Sequence, residues 1–146
     1  MDIRTIACGT DFSEHADRAV AAATDLARRY DASLYVIHVL PPVVNPVLTE
    51  AEWIPPEEVP RDTVLTQIRE RMQDRYGLAP SEGVTPEFVV LDGHVSTEIL
   101  KFLEERGVDL AVMGSYGLSG MGLVLFGSVT KRVSQKATCS VLIVRD

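Results

Sequence analysis

The chain has 146 residues, of which 46% are hydrophobic and 24% charged, and its formal net charge is −7 at pH 7. That length suits one domain burying roughly 70% of the unfolded chain's surface, and that balance excludes a disordered chain. The negative charge argues against charge-driven contact with nucleic acid or anionic membranes. No run is long and apolar enough to span a bilayer, and the opening MDIRTIACGTDFSE lacks a signal peptide's apolar stretch, so a cytoplasmic location is expected.

Residues 3–10, IRTIACGT, form an apolar run closed by turn residues and predict a buried strand. Cys8 lies within it and is expected to be a small core residue; with Cys139 it makes no CxxC pair. Ser13 is a candidate N-cap for a helix whose Ala16, Ala19, Val20, Ala23, Ala27 and Tyr30 recur at helical spacing. Residues 32–40, ASLYVIHVL, predict a second strand, in which His38 is expected to be a hydrogen-bonded structural residue. Six of the eight prolines fall in 41–60, which excludes a continuous helix there. A loop of that length is a candidate lid or contact surface, with Trp53 within it. Val64, Leu65, Ile68 and Met72 then line one face of a helix that Gly77 can end.

Residues 87–93 predict a third strand, and Ile99, Phe102 and Leu103 a helix closed by Gly107. Residues 109–114, DLAVMG, predict a fourth strand; Val129, Val133 and Ala137 mark a last helix, and SVLIVRD a fifth strand. Strands apolar throughout, alternating with amphipathic helices, predict an α/β doubly wound parallel sheet of five strands with helices on both faces. Such folds bind ligands at the carboxyl ends of the strands, where the strand order reverses. His15 and His94 have no second ligand at metal spacing, and Lys131 and Arg132 read as a solvated face.

The stretch GSYGLSGMGLVLFGSVTKRV, residues 114–133, holds five of the ten glycines and no charge before Lys131. Uncharged, glycine-rich chain running into a helix N-terminus suits an anion, with phosphate the first candidate. It is neither a P-loop nor a dinucleotide fingerprint, because G-x-x-x-x-G-K-[ST] is absent and CGTDFS stands where G-x-G-x-x-G would follow the first strand. What remains is Gly114-x2-Gly117-x9-Gly127-Ser128.

With that spacing the chain resembles the ATP-binding branch of the universal stress protein family, which carries G-x2-G-x9-G-[ST] between its fourth strand and last helix. TDFSE (10–14), His38-Val39 and DLAVMGSYG (109–117) resemble the family's strand endings, so the likeness spans essentially all of residues 1–146. It departs at Gly9, Val95 and Ser140, where the family often has proline, and at Tyr116, where His or Arg is frequent.

The resemblance implies a strand order of 3-2-1-4-5 and a nucleotide-binding set of Thr10, Asp11, Val39, Met113, Gly114, Ser115, Gly117, Gly127, Ser128 and Val129. Asp11 would bond the nucleoside, Val39 and Met113 would flank the adenine, and the glycines with Ser115 and Ser128 would take the phosphates. The implied cofactor is ATP with Mg2+ or Mn2+, since the loop offers dipoles but no cation; no metal ligand is assigned. A fifth strand at the sheet edge would leave the apolar run Val141, Leu142, Ile143 and Val144 with unpaired amides, so a homodimer through that strand is expected.

The leading expectation is therefore a cytosolic binding module that reports stress or energy state to a protein partner the sequence does not name. The alternatives are a slow ATPase or autophosphorylating enzyme, and an adaptor holding AMP or a cyclic nucleotide. Residues 114–126 contain no acid, base or cation to drive hydrolysis, which favours binding over turnover.

Overall fold

The apolar runs become one parallel sheet in a computed structural model that describes residues 1–41, 60–115 and 125–145. Its strands are β1 (Thr5–Gly9), β2 (Ser33–Leu40), β3 (Glu87–Asp92), β4 (Leu110–Gly114) and β5 (Ser140–Val144), in the order β3-β2-β1-β4-β5. All four pairings are parallel. The helices are α1 (Glu14–Tyr30), α2 (Arg61–Tyr76), α3 (Val95–Glu105) and α4 (Leu125–Lys136). Fold class and strand order are those expected from the sequence. The candidate lid at 42–59, with Trp53, lies outside the described residues.

Each strand feeds both sides of the sheet, as its period of two requires. Ile6, Cys8, Leu34, Val36, Leu110 and Val112 pack on one face, beneath α1 and α2. Ala7, Ile37, Val39, Ala111 and Met113 pack on the other, beneath α3 and α4. Cys8 is fully buried, and burial pushes its thiol well above the ordinary range, so it behaves as a small apolar side chain. His38 donates from Nδ1 to the Thr10 carbonyl at 2.8 Å, a structural histidine as expected. Lys131 and Arg132 are exposed.

Helix α1 starts as its sequence predicts: Ser13 Oγ accepts the Ala16 N–H at 3.1 Å. Its buried stripe is Ala16, Ala19, Val20, Ala23 and Ala27, small residues that bring the helix backbone close to the sheet. Tyr30 continues that spacing but is 51% exposed. The chain reverses at Asp31, in the left-handed region at φ 52°, and Tyr30 lies one turn beyond the last buried alanine.

Helix α2 is seated differently. Only Met72 and Tyr76 are buried; Val64, Leu65 and Ile68 are half-buried. Gly77 ends the helix in extended geometry (φ −60°, ψ 141°), and a Cβ there would collide with the Gln73 carbonyl and side chain. Polar pins hold the two ends. Arg61 makes a bidentate pair with Asp92 and reaches the Pro41 carbonyl at 3.4 Å. Arg75 donates from Nε and Nη2 to the two Asp17 oxygens at 2.9 and 2.6 Å, and the Tyr76 hydroxyl adds a bond to Asp17 Oδ1 at 2.7 Å.

Two expected outcomes follow from this seating. Met72→Ala, which empties a fully enclosed site, costs about 2–5 kcal/mol in urea denaturation, whereas Tyr30→Ala stays within about 0.5 kcal/mol. Equal effects would refute the packing described for α1 and α2.

The second outcome concerns acid. The Arg75 hydrogen bonds hold the Asp17 carboxyl below its ordinary range, and Arg61 does the same to Asp92. Lowered folded-state pKa values mean that the unfolded chain binds protons first as pH falls. This stabilisation is complete above the ordinary carboxylate value of about 4 and is lost below it. Melting temperature should therefore hold between neutrality and about pH 5 and drop below about pH 4. Asp17→Asn should lower it at neutral pH and make the acid limb shallower; an unchanged limb would show that the pair is inert.

Candidate functional site

The strand order reverses between β1 and β4, whose chains leave the sheet toward different helices and open a crevice at the carboxyl end. One wall is the turn from β1 into α1, residues 10–13. Thr10 is 2% exposed, and its groups are engaged within the chain. Its N–H donates to the Ile37 carbonyl at 2.8 Å, its carbonyl accepts from His38, and its hydroxyl meets the Tyr76 hydroxyl at 2.7 Å while accepting the Phe12 N–H at 3.0 Å. Asp11, half-buried at the crevice, accepts the Ser13 N–H through Oδ1 at 3.0 Å. This bond closes an Asx turn immediately ahead of the helix.

Phe12 adopts φ 65°, a left-handed conformation that costs a residue with a Cβ on the order of 1–3 kcal/mol. Its surroundings hold it there. The ring is tilted against His38 at 4.8 Å between centroids, lies nearly parallel to Tyr76 at 6.3 Å, and carries the Arg71 guanidinium 4.0 Å above its centroid. Burial holds the His38 imidazole below its ordinary pKa, so it stays a neutral donor to Thr10 at physiological pH. Arg71 brings a cation to the turn that no local motif announces.

The other wall is the end of β4. Gly114 is buried against the start of α1, where a Cβ would sit 3.0 Å from the His15 carbonyl oxygen and 3.2 Å from its carbon. The Gly114 carbonyl accepts the Thr130 hydroxyl at 2.8 Å, which ties the middle of α4 to the end of β4. The Ser115 N–H donates to the Val144 carbonyl at 3.2 Å. Gly127 and Ser128 are the third and fourth residues of α4, inside its first turn rather than ahead of it; Gly127 is half-buried, Ser128 exposed and Val129 buried.

The structure thus brings Thr10, Asp11, Gly114 and Ser115 to one end of the sheet, with Gly127, Ser128 and Val129 joined to it through Thr130. Val39 and Met113 lie at the same end: Ile37 and Val112 pair with Gly9 and Cys8, and Val39 and Met113 follow them on β2 and β4. Both are buried on the α3–α4 side. Gly117 lies outside the described residues. Among the described residues no three His, Cys, Asp or Glu side chains are grouped to hold a metal ion.

Sequence reasoning did not single out Tyr76, Asp17, Arg71 or Thr130. Tyr76 stands four residues after Met72 and so continues the buried face of α2, the one signal that could have found it.

Comparison with known proteins bears on the whole chain. The sequence model of the universal stress protein family matches residues 2–145. Universal stress protein YxiE of Bacillus subtilis is 33% identical over 141 residues, covering 92% of this chain and 94% of that protein. Among solved structures, protein MJ0577 of Methanocaldococcus jannaschii superposes with a TM-score of 0.79 at 25% identity, over 100% of this chain and 98% of the other. A universal stress protein crystallised in complex with cAMP superposes with a TM-score of 0.69 at 26% identity, over 99% and 98%.

Proposed function

The chain belongs to the universal stress protein family, and from that premise we propose that it is an adenine-nucleotide-binding regulatory module whose ligand is ATP with Mg2+ or Mn2+. The observation that carries this reading is the meeting, at the carboxyl ends of β1 and β4, of the Asp11 turn with Gly114, to which Thr130 in the second turn of α4 is bonded. Asp11 binds the nucleoside; Val39 and Met113 flank the base. Gly117, Gly127, Ser115 and Ser128 serve the phosphates, as in the G-x2-G-x9-G-[ST] pattern at residues 114–128. Thr10 and Val129 support this set from within the fold.

The related protein solved with cAMP supports the adenine nucleotide class and makes a cyclic nucleotide the reading to exclude. No acid, base or cation occurs in residues 114–126, which supports binding rather than turnover. A divalent cation then offsets the triphosphate charge in a chain of net charge −7. No helix among the described residues is long and apolar enough to cross a membrane, in keeping with action in the cytoplasm on a protein partner.

The active unit in this proposal is a homodimer. Among the described residues strand β5 pairs with β4 alone, and Leu142 on it is 39% exposed. An antiparallel two-fold pairing of β5 with its copy, through Val141, Leu142, Ile143 and Val144, satisfies both edges and covers that leucine.

Denaturing the purified protein and weighing any released nucleotide by mass spectrometry identifies the ligand; AMP or cAMP would displace ATP from the proposal. In calorimetry ATP should bind with Mg2+ and lose on the order of tenfold in affinity, about 1.4 kcal/mol, when EDTA is added. Gly127→Val should abolish binding with circular dichroism unchanged. Equal affinity in EDTA refutes the metal, and tight binding by Gly127→Val refutes the phosphate site.

The dimer is tested separately by light scattering on Leu142→Pro and Ile143→Pro. At whichever position the N–H points outward, proline removes a pairing donor and should yield folded monomer. If both variants stay folded and dimeric, the interface is not β5.

A further inference from the structure

We propose that the Tyr76 hydroxyl is the positioning group of the turn from β1 into α1, acting through Thr10 to fix the Asp11 carboxylate at the crevice. The inference deepens the nucleotide-binding reading and rests on it for the purpose of the placement, though not for the placement itself.

The direction of every proton in this network follows from one charge pair. Asp17 is ionised beside Arg75 and can only accept. Tyr76 has a single hydroxyl proton and gives it to Asp17 Oδ1 at 2.7 Å. At its 2.7 Å contact with Thr10 the Tyr76 oxygen must therefore accept, and the Thr10 hydroxyl must donate. Thr10 Oγ1, its proton turned toward Tyr76, presents a lone pair to the Phe12 N–H at 3.0 Å. The result is a one-way chain from the Phe12 amide through Thr10 and Tyr76 to the Asp17–Arg75 pair. Bonds in such a chain polarise one another in the same sense, and the last is strengthened by the carboxylate charge.

The turn needs a brace because Phe12 sits in the left-handed region, which the relaxed chain would leave. The two residues before Phe12 carry its constraints: Thr10 holds the Phe12 amide, and the Asp11 carboxylate holds the Ser13 amide. If Phe12 relaxes, the Asp11 side chain moves with it. His38 fixes the Thr10 carbonyl from the other side, and the Tyr76 oxygen takes the Thr10 hydroxyl proton, which turns the Oγ1 lone pair toward the Phe12 amide. A phenylalanine at 76 keeps the ring stacked on Phe12 and removes the hydroxyl's two bonds, to Thr10 and to Asp17.

Amide hydrogen exchange by NMR tests the brace without ligand. In Tyr76→Phe, exchange at Phe12 and Ser13 should rise about tenfold more than at Val112, a buried β4 amide that reports global stability. Thr10→Val, which removes both the bond to Tyr76 and the acceptor of the Phe12 N–H, should raise exchange at Phe12 and Ser13 at least as far above that at Val112, should Tyr76→Phe prove too unstable to measure. A parallel rise at all three amides makes Tyr76 an ordinary packing residue and overturns the proposal, as does no rise at Phe12 and Ser13.

Calorimetry with MgATP then reads the consequence: Tyr76→Phe should weaken binding about five- to tenfold. Unchanged affinity despite faster local exchange overturns the link to Asp11. A wild-type chain that binds no adenine nucleotide, but whose turn still loosens in Tyr76→Phe, upholds the brace and overturns the functional reading, so the two failures are distinguishable.

Discussion

Strand β1 carries hydrogen-bond ladders on both edges and helices over both faces, and the geometry at the carboxyl end of the sheet depends on that double burial. Ile6 and Cys8 are enclosed on the α1–α2 side and Ala7 on the α3–α4 side, so the strand has no slack in register or rotation. Its chain can leave only at the end, between neighbours that belong to different halves of the sheet. The Asp109 side chain secures the opposite end, accepting the N–H groups of Arg4 and Thr5 at 2.9 and 3.0 Å. With both ends fixed, Thr10 and Asp11 emerge in a defined direction, level with the end of β4.

Helices α1 and α2 answer to the same face of the sheet by different physics. Helix α1 buries five residues along one stripe and would keep its place without any polar contact. Helix α2 buries two, and its Arg61–Asp92 and Arg75–Asp17 pairs are more than a third exposed, where an isolated ion pair contributes little. What the pairs supply is direction. Arg61 joins Asp92 to the Pro41 carbonyl, so the chain on either side of residues 42–59 is tied to the end of β3. Arg75 orients Asp17, and through it Tyr76. The helix of weakest apolar seating is therefore the one that touches the crevice through hydroxyl groups.

Much of this was legible in the sequence because it is local. Apolar runs bounded by turn residues gave the five strands, helical spacing gave the four helices, and Ser13 before a run of small apolar residues gave the α1 cap. Tyr30 keeps the helical spacing and closes α1, but its exposure was not legible because spacing carries no information about where the chain reverses. Gly77 was read correctly as an end, while the Gln73 side chain packed beside it is a matter of rotamer rather than of residue type. Tyr76, Asp17 and Thr130 were not legible at all. Each acts by placing one oxygen against a partner far along the chain, and hydroxyl or carboxyl groups carry no period that reveals the partner. For the site, the residues at the ends of β1, β2 and β4 were found through the family pattern, while the contacts that hold them required the fold.

Gly114 shows how a motif residue can be right for a reason other than the one that drew attention to it. Its missing Cβ points at the His15 carbonyl, so the glycine is demanded by the approach of α1 to β4 before any ligand is considered. That approach sets the start of α1 beside the end of β4, and Thr130 holds α4 against the Gly114 carbonyl, so both helices reach the end of β4. They are not equivalent. Glu14 and Asp17 occupy the first turn of α1 and offset the positive end of its dipole, whereas the first turn of α4 carries no acidic residue. An anion entering a chain of net charge −7 therefore meets its least opposed field at α4, and a neutral, hydrogen-bonding moiety is better matched to the Asp11 side. In the proposed function, a ligand with phosphate at one end and a nucleoside at the other is therefore oriented with its phosphates toward Gly127 and Ser128 and its sugar or base toward Asp11.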